Sequence, residues 1–340
     1  MLCIIRENLL MNIKKIVITG ATSSLGTALI DECIKQNIEV LAICNRNSKN
    51  LQRIPQHALV TVTECELSAF SDYEVDRTVQ YDVFFHLAWA STQGDVARNN
   101  LQSQVENIQF ALDAVDLAER LGCKVFIGAG SQAEYGRKEQ ILTEQTPCDP
   151  ETAYGMAKLC AGQMTRLACK QRGIKHIWSR ILSAYGPNCQ PQTIINYTIT
   201  ELLQGRKPLL SGGEQIWDFI YTGDVARALL LLAQKGKNGE VYVVGSGKSR
   251  KLKEYLKCVR EIVIDYNRKS KNTKFECPQL GLGERPYGDQ AVMHLAGDIN
   301  KLQHDTGFEI DTEFEEGIQK TIKWIYKQIL SQEDKCNEET

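Results

Sequence analysis

The chain has 340 residues, of which 43% are hydrophobic and 24% charged, and its formal net charge is −2. This length exceeds the usual single domain and predicts one large α/β unit with an attached lobe, or two domains. The composition is that of an ordinary globular protein and excludes long disorder. The near-neutral charge argues against nucleic acid or an anionic membrane as a partner, and no run of about 18 apolar residues could span a bilayer.

Cysteine and histidine spacing gives no sign of a metal site. The twelve cysteines form no C-x-x-C pair, and the five histidines show neither H-E-x-x-H nor H-x-C spacing. Scattered cysteines in a chain of this length are typical of a reduced, cytoplasmic protein. Residues 1–10 carry Arg6 and Glu7 within an apolar stretch and no cleavage site, so we expect an extension before Met11 and no secretory signal.

From residue 11 onwards, short apolar runs alternate with helical patterns. Strand patterns occupy 14–20, 38–44, 58–64, 81–88, 123–131 and 174–182. Helical patterns occupy 25–37, 98–120 and 151–172. This alternation predicts an α/β fold with a doubly wound parallel sheet and helices on both faces. Ligands bind such a sheet at the carboxyl ends of its strands.

After residue 185 the alternation becomes less regular. Further elements are expected as a helix over 193–204, a strand leading into a helix over 218–233, a strand in 239–247 and an amphipathic closing helix over 311–330. The basic run 247–257 is typical of a solvated helix start. Residues 331–340 are expected to form a loose tail.

The first strand pattern ends in a turn flanked by glycines, "GATSSLG". Gly20 allows a tight turn from strand to helix, and Gly26 permits that helix to pack closely on the sheet. The first amides of the helix would then face a pyrophosphate, which the helix dipole also favours. Ser23 stands where such turns normally have a third glycine, and its hydroxyl could donate to the phosphate. The alternative is a structural turn without a ligand.

The second strand pattern ends at Asn45 and Arg46, about 20 residues past Gly26, where an acid would bind the ribose hydroxyls of NAD. No acid is present there. Arg46 could instead pair with a 2′-phosphate. We therefore expect NADP(H) to be the preferred cofactor, with NAD(H) as the alternative. The other interpretation of Arg46 is a surface arginine.

Three residues in the middle of the chain predict acid–base chemistry. Ser131 ends a strand pattern, and Tyr154 and Lys158 are four residues apart on one helix face. A free tyrosine titrates at about pH 10. The lysine ammonium, together with the positive charge of an oxidised nicotinamide, would lower this pKa. Tyr154 would then act as acid or base, while Ser131 hydrogen-bonds the same substrate oxygen.

Taken in order, these motifs resemble the extended short-chain dehydrogenase/reductases, the group of nucleotide-sugar epimerases, dehydratases and reductases. The resemblance runs from about residue 13 to residue 328. It rests on "TGATSSLG", "DVFFHLA", Asn107, "SQAEYG", "YGMAK", "RILSAYGP", "WDFIYTGDVARA", "YVVGSG" and "FEEGI".

The resemblance implies the organisation of the molecule. A Rossmann-type dinucleotide-binding domain would cover 11–185 and be completed by about 217–245. A smaller C-terminal lobe, formed by 186–216 and 246–330, would bind the sugar nucleotide. The two long helices of the first domain would join two copies as a homodimer.

The resemblance, together with the glycine turn, also assigns binding residues. The cofactor contacts would be Gly20, Thr22, Ser23, Ser24, Leu25, Gly26, Asn45, Arg46, Leu67, Leu87, Ala88, Tyr154, Lys158 and Ile181. The substrate contacts would be Trp89, Ser91, Ser131, Gln132, Ser183, Trp217 and Arg285. Among these, Arg285 is the candidate to pair with a diphosphate, because a guanidinium binds phosphate in bidentate fashion. Trp217 would either pack in the core or stack on a base or sugar.

Departures from the family pattern narrow the expected activity. The family's 4,6-dehydratases carry an Asp-Glu pair directly after the catalytic Ser or Thr, and Gln132 and Ala133 stand there in this chain. Neither can transfer the proton that water elimination requires, so we reject a dehydratase. Ser183 replaces an asparagine and Trp217 replaces an arginine of the family's substrate site.

We therefore expect an NADPH-dependent reductase of a 4-keto-deoxysugar linked to a nucleoside diphosphate, with hydride delivered to C4. An NAD-dependent nucleotide-sugar 4-epimerase is the alternative. A non-catalytic protein that senses dinucleotides is a third interpretation, but such proteins commonly lose the tyrosine or lysine that this chain keeps.

Overall fold

A computed structural model describes residues 11–92, 94–269, 276–288 and 291–338, with side chains through residue 331 in the last range. The strands are β1 Lys15–Thr19, β2 Glu39–Cys44, β3 Val60–Glu64, β4 Val83–His86, β5 Val125–Ser131, β6 Lys175–Ile181, β7 Ser183–Tyr185, β8 Leu209–Leu210, β9 Ile216–Tyr221, β10 Glu240–Val244, β11 Ser249–Lys251, β12 Gly281–Leu282 and β13 His294–Leu295. The helices are α1 Ser24–Lys35, α2 Gly94–Arg98, α3 Leu101–Arg120, α4 Ala153–Arg172, α5 Ile194–Leu203, α6 Thr222–Lys235, α7 Leu252–Lys269, α8 Asn300–Thr306 and α9 Phe314–Glu338.

The central sheet has seven parallel strands in the order β3-β2-β1-β4-β5-β6-β10. The chain adds strands outward from β1 to β3 and then returns to place β4 on the other side of β1. The strand order therefore reverses between β1 and β4, where doubly wound sheets bind their ligands. This arrangement confirms the predicted Rossmann-type sheet.

Both faces of the central sheet are covered by helices. Ile16 and Ile18 of β1 pack on one face with Leu29 of α1, while Val17 packs on the other with Leu117 of α3. This division follows from the strand itself, in which successive side chains point to opposite faces. The sheet is buried on both sides, which explains its continuous runs of β-branched residues.

A smaller unit lies beside the carboxyl end of the central sheet. Strands β7, β9, β11 and β13 form a four-stranded sheet, and β8 pairs with β12. Its core is aromatic: Phe219 of β9 packs against Tyr185, Tyr255 and Phe314. The chain returns to the central sheet through α6 and β10, since β9 itself belongs to the four-stranded sheet.

Two predicted elements differ from those observed. The helix expected over 98–120 is two helices, because α2 ends at Arg98 and the side chain of Asn100 caps α3 by accepting from the Ser103 amide at 3.0 Å. The closing helix α9 continues through Glu338, into the segment that was expected to be a loose tail. The predicted extension 1–10 lies outside the described residues. None of the helices in the described ranges is long and apolar enough to cross a membrane.

Candidate active site

The glycine turn brings the backbone of β1 against the loop that follows β4. Gly20 has φ +71°, and a Cβ there would lie 2.8 Å from the Ala88 amide nitrogen. A Cβ on Gly26 would lie 2.8 Å from the Cα of Ala21. Both distances are shorter than any ordinary contact, so glycine is required at both positions for steric reasons. The turn keeps the start of α1 close to the carboxyl end of the sheet.

Ser23, at the unusual middle position of the turn, is the N-cap of α1. Its Oγ accepts a hydrogen bond from the Gly26 amide at 3.0 Å. An α-helix leaves its first amides without partners inside the helix, and the side chain of Ser23 satisfies one of them. The amides of Ser24 and Leu25 remain at the helix start, where the dipole favours an anion.

A cavity of about 390 Å³, here called the strand-end cavity, opens beside this turn. Most of the predicted cofactor residues line this cavity. They are Gly20, Ser23, Ser24, Leu25, Asn45, Leu67, Leu87, Ala88, Tyr154, Lys158 and Ile181. The predicted cofactor residues outside its lining are Thr22, Gly26 and Arg46. The structure thus brings together, at the switch point of the sheet, residues as far apart in the chain as Gly20 and Ile181.

Arg46 is exposed, and a carboxylate lies beside it that the sequence analysis did not single out. The Arg46 amide donates to Oε1 of Glu66 at 2.9 Å. Glu66 follows β3, immediately before the cavity residue Leu67. A carboxylate here opposes the binding of a 2′-phosphate next to Arg46 and would accept hydrogen bonds from ribose hydroxyls. The only signal in the sequence is an acid after the third strand pattern.

Ser131, Tyr154 and Lys158 lie together at the inner end of the strand-end cavity. The Ser131 side chain lies close enough to the Tyr154 phenol to lower the pKa of that phenol. Lys158 lies one turn further along α4, with its Nζ 5.9 Å from the centre of the Tyr154 ring. The Lys158 ammonium donates to the Ala129 carbonyl at 2.6 Å and lies 3.6 Å from the centre of the Trp89 ring.

Burial is the largest influence on the pKa of both Tyr154 and Lys158. Burial raises the pKa of Tyr154, while the Ser131 hydrogen bond and the positive charge of Arg98 lower it and the Glu134 carboxylate raises it. Burial also lowers the pKa of Lys158 to about 7, against the opposing effect of Glu134. Burial therefore opposes the charged form of both Tyr154 and Lys158.

The buried carboxylate of Glu134 holds the backbone of Ser131 in place. Glu134 Oε1 accepts from the Ser131 amide at 2.8 Å and from Trp178 Nε1 at 2.9 Å, and Glu134 Oε2 accepts from Arg180 Nε at 2.8 Å. Glu134 is fully buried and Arg180 nearly so. This network fixes the backbone of Ser131 at the end of β5. The capping-box spacing Ser-x-x-Glu in "SQAE" is the signal that could have predicted it.

A second cavity, of about 250 Å³, lies between the central sheet and the four-stranded sheet and is here called the intersheet cavity. Its lining contains Thr92, Arg98, Ser131, Gln132, Tyr154, Leu182, Ser183, Ala184, Trp217 and Leu295. Nε1 of Trp217 is buried and has no hydrogen-bond partner among the described residues. The predicted substrate residues Ser131, Gln132, Ser183 and Trp217 thus share one cavity.

The other three predicted substrate residues lie elsewhere. Trp89 lines the strand-end cavity, where its Nε1 donates to Gln104 Oε1 at 2.9 Å and its ring meets the Tyr154 ring edge-on at 6.2 Å. Ser91 has φ +56° and its hydroxyl is hydrogen-bonded to Ser103 at 3.0 Å, outside the lining of both cavities. Arg285 is exposed and lies outside both linings, with its amide bonded to the Leu210 carbonyl.

The chain is similar over most of its length to known nucleotide-sugar enzymes. A putative UDP-glucose 4-epimerase of Methanocaldococcus jannaschii is 24% identical over 331 residues, which cover 91% of this chain and 98% of the relative. A dTDP-glucose 4,6-dehydratase of Neisseria gonorrhoeae is 25% identical over 338 residues, 92% of this chain and 95% of the relative. The solved UDP-N-acetylglucosamine 4-epimerase of Methanobrevibacter ruminantium has a TM-score of 0.79 at 23% identity and covers 94% of this chain and 100% of its own.

The profile of the NAD dependent epimerase/dehydratase family matches residues 16–245. These residues contain the glycine turn, the strand-end cavity and the Ser131, Tyr154 and Lys158 group. The chain therefore belongs to the NAD-dependent epimerase/dehydratase family of nucleotide-sugar enzymes.

Proposed function

We propose that this enzyme reduces C4 of a 4-keto-deoxysugar carried on a nucleoside diphosphate, using NADPH or NADH. One observation carries the proposal: Ser131 and Tyr154 line both the strand-end cavity and the intersheet cavity. A dinucleotide in the first cavity and a sugar in the second would therefore meet at the phenol. Hydride transfer needs this contact between the two ligands.

The strand-end cavity fits a dinucleotide. Gly20 and Gly26 leave no room for a side chain between the turn and its neighbours. The Ser24 and Leu25 amides lie at the start of α1, which suits a pyrophosphate. A bound reduced nicotinamide would supply the hydride.

The residues at the junction would handle the proton. Tyr154 would donate it to the oxygen on C4 as the alkoxide forms, and Ser131, which lies beside the phenol, would orient the carbonyl. Lys158 would hold the ribose of the cofactor from its place one turn along α4. Glu134, through the Ser131 amide, would keep Ser131 at the end of β5.

Water elimination is not proposed. It needs an acid or base beside the sugar, and the cavity side chain directly after Ser131 is the amide of Gln132. Glu134 is fully buried and committed to Arg180, Trp178 and Ser131. Its carboxylate therefore supports the site and does not face the sugar.

For the cofactor, we propose NADP(H) in preference to NAD(H), because Arg46 follows β2 and its side chain is exposed. The Glu66 carboxylate beside Arg46 works in the opposite direction. Dissociation constants for NADP(H) and NAD(H), measured on the same protein, test this preference.

The decisive experiment mixes purified protein with 4-ketosugar nucleotides and NADPH or NADH and follows the loss of nicotinamide absorbance. We expect consumption of one reduced cofactor per ketosugar, and none in the Tyr154→Phe variant. Failure to consume reduced cofactor with any 4-ketosugar nucleotide would refute the reductase.

A 4-epimerase is the second candidate, and the full-length similarity to a putative UDP-glucose 4-epimerase favours it. The same residues would serve, with Tyr154 first removing and then returning the proton. An epimerase would purify with bound dinucleotide and interconvert two sugar nucleotides without added reductant. A reductase would do neither.

We also propose a homodimer formed through α3 and α4, which pack side by side. Each helix exposes large apolar side chains, including Val105, 61% exposed, on α3 and Leu167, 58% exposed, on α4. Such a patch is typical of an interface. Light scattering should report a dimer for the wild type and a monomer for Val105→Lys with Leu167→Lys. Val62→Lys, on the exposed side of β3, is the control and should leave the mass unchanged.

A reducing, cytoplasmic location is proposed from the thiols. The ten cysteines whose side chains are described are all unpaired. Thiol titration of protein isolated from its cells without reductant should find these groups free, and stable disulfides would contradict the proposal.

A further inference from the structure

Arg98, the last residue of α2, places its guanidinium over the face of the Tyr154 ring. The guanidinium carbon lies 4.5 Å from the ring centre. Nε of Arg98 is buried and has no hydrogen-bond partner among the described residues, and none of the ion pairs found within those ranges includes Arg98. Within the described part of the chain, no carboxylate neutralises the positive charge of Arg98, and its aromatic contact is the Tyr154 ring.

Lys158 is placed differently. Its Nζ is 5.9 Å from the centre of the Tyr154 ring, donates to the Ala129 carbonyl and lies over the Trp89 ring. The lysine is thus already engaged by a carbonyl and an indole on the cofactor side of the phenol. Arg98 borders the phenol from the substrate side, where it lines the intersheet cavity and a neighbouring outer cavity of about 520 Å³.

We propose that Arg98 is a positioning residue for the acid–base role of Tyr154, and that its guanidinium adds a positive charge that stabilises the phenolate. This inference rests on the proposed function of Tyr154. A cation over an aromatic face is attracted by the ring, and the attraction grows when the ring becomes an anion. Arg98 would thus both hold the Tyr154 ring in place and favour its ionised form.

The charged and titratable groups around Tyr154 support this assignment. Ser131, at the end of β5, favours the phenolate, and Glu134, which is bonded to the Ser131 amide, disfavours it. Lys158 lies on the same helix and Trp89 meets the ring edge-on. The charge of Arg98, the cation nearer to the ring centre, lowers the pKa of Tyr154.

The test replaces Arg98 and measures the ionisation of Tyr154 without turnover. The Tyr154 signal is the phenolate ultraviolet absorbance of each protein minus that of the same protein carrying Tyr154→Phe. For Arg98→Gln we expect the pKa to rise by about one pH unit, so that the phenolate fraction at a fixed alkaline pH falls up to tenfold. Arg98→Lys keeps the charge and should restore part of the signal. Arg98→Met repeats the test should the glutamine variant fail to fold.

The chain offers a matched control. Arg250 lies 4.3 Å over the ring of Tyr255 in the smaller unit, away from both cavities. Arg250→Gln removes the same kind of contact and should leave the Tyr154 difference signal unchanged. A similar fall in that signal would show a general loss of structure and overturn the inference.

Kinetics provide the second readout. Protonated Tyr154 is the acid in ketone reduction, so kcat/KM falls as pH rises through its pKa. With Arg98→Gln this falling limb should move to higher pH by about one unit, with KM nearly unchanged. An unchanged Tyr154 titration, or a raised KM with an unmoved pH profile, would overturn the inference, and the latter would make Arg98 a substrate ligand. Because the absorbance titration needs no substrate, an enzyme inactive on ketosugars would refute the proposed function and leave this test readable.

Discussion

The two cavities that meet at Tyr154 are built in different ways. The strand-end cavity depends on main chain at the glycine turn, the strand ends and the first turn of α1, beside side chains such as Trp89 and Lys158. The intersheet cavity is shaped by side chains from α2, β5, β7, β9 and β13, such as Arg98 and Trp217. A substitution alters a site formed by main chain only where the new side chain collides with the backbone. A single substitution in a site formed by side chains can change which ligand binds. The first half is therefore suited to a constant cofactor and the second to a variable substrate.

Removing the phenol shared by both cavities should have the largest effect. In Tyr154→Phe the proton donor is lost while the ring and its contacts with Arg98 and Trp89 remain. We expect kcat to fall by about a thousandfold, within the range for general acid–base groups. Dinucleotide affinity, measured by fluorescence or calorimetry, should stay within a factor of about two. A variant with wild-type kcat would show that another group donates the proton.

Adding a side chain to the glycine turn should have the second largest effect, which is a loss of dinucleotide binding in the strand-end cavity. The Cβ of Gly20→Ala would lie 2.8 Å from the Ala88 amide nitrogen, in a backbone with φ +71°. We expect dinucleotide affinity to fall by about a hundredfold, because turn and loop must separate at a cost of roughly 2–3 kcal/mol. Calorimetric titration measures this loss.

Gly173→Ala is the matched control for backbone strain. Gly173 closes α4 with φ +67°, and a Cβ there would meet nothing within 4 Å. The variant should lose roughly 1 kcal/mol of stability and keep its dinucleotide affinity. Equal losses of affinity in both glycine variants would show that strain, and not the close approach to Ala88, explains the effect.

These differences also explain what the sequence could predict. The sheet, the glycine turn and the pair Tyr154 and Lys158 depend on residues close together in the chain, and local periodicity is enough to find them. The intersheet cavity depends on contacts such as that of Arg98 with Tyr154, 56 positions apart, which no local pattern encodes. Arg285, assigned by resemblance alone, is exposed outside both cavities.

Substitutions of Arg46 and Glu66, which lie next to the lining residues Asn45 and Leu67 of the strand-end cavity, should have an intermediate effect on cofactor preference. Arg46→Asp removes the cation proposed for the 2′-phosphate and adds an anion, so the ratio of NADP(H) to NAD(H) affinity should fall by about tenfold. Glu66→Gln should raise the same ratio, because the carboxylate beside the Arg46 amide disfavours a phosphate. Dissociation constants for both dinucleotides measure the change. An unchanged ratio in both variants would place the 2′-phosphate elsewhere.

The smallest effect is expected from removing a single N–H group from the intersheet cavity. Trp217 Nε1 is buried with no partner among the described residues, so Trp217→Phe breaks no hydrogen bond within them. We expect an unchanged Tm and a KM for the nucleotide sugar raised about threefold, because the indole would lose one hydrogen bond to the substrate.

Trp178 provides the opposite case, since its Nε1 donates to the buried Glu134. Trp178→Phe would leave that carboxylate short of one donor and should lower stability by roughly 1–3 kcal/mol. Two tryptophans with the same change would thus separate a side chain kept for a ligand from one kept for the fold. If Trp217→Phe instead lowers Tm and leaves KM unchanged, Trp217 packs the smaller unit, and the substrate contacts of the intersheet cavity must come from Gln132 and Ser183.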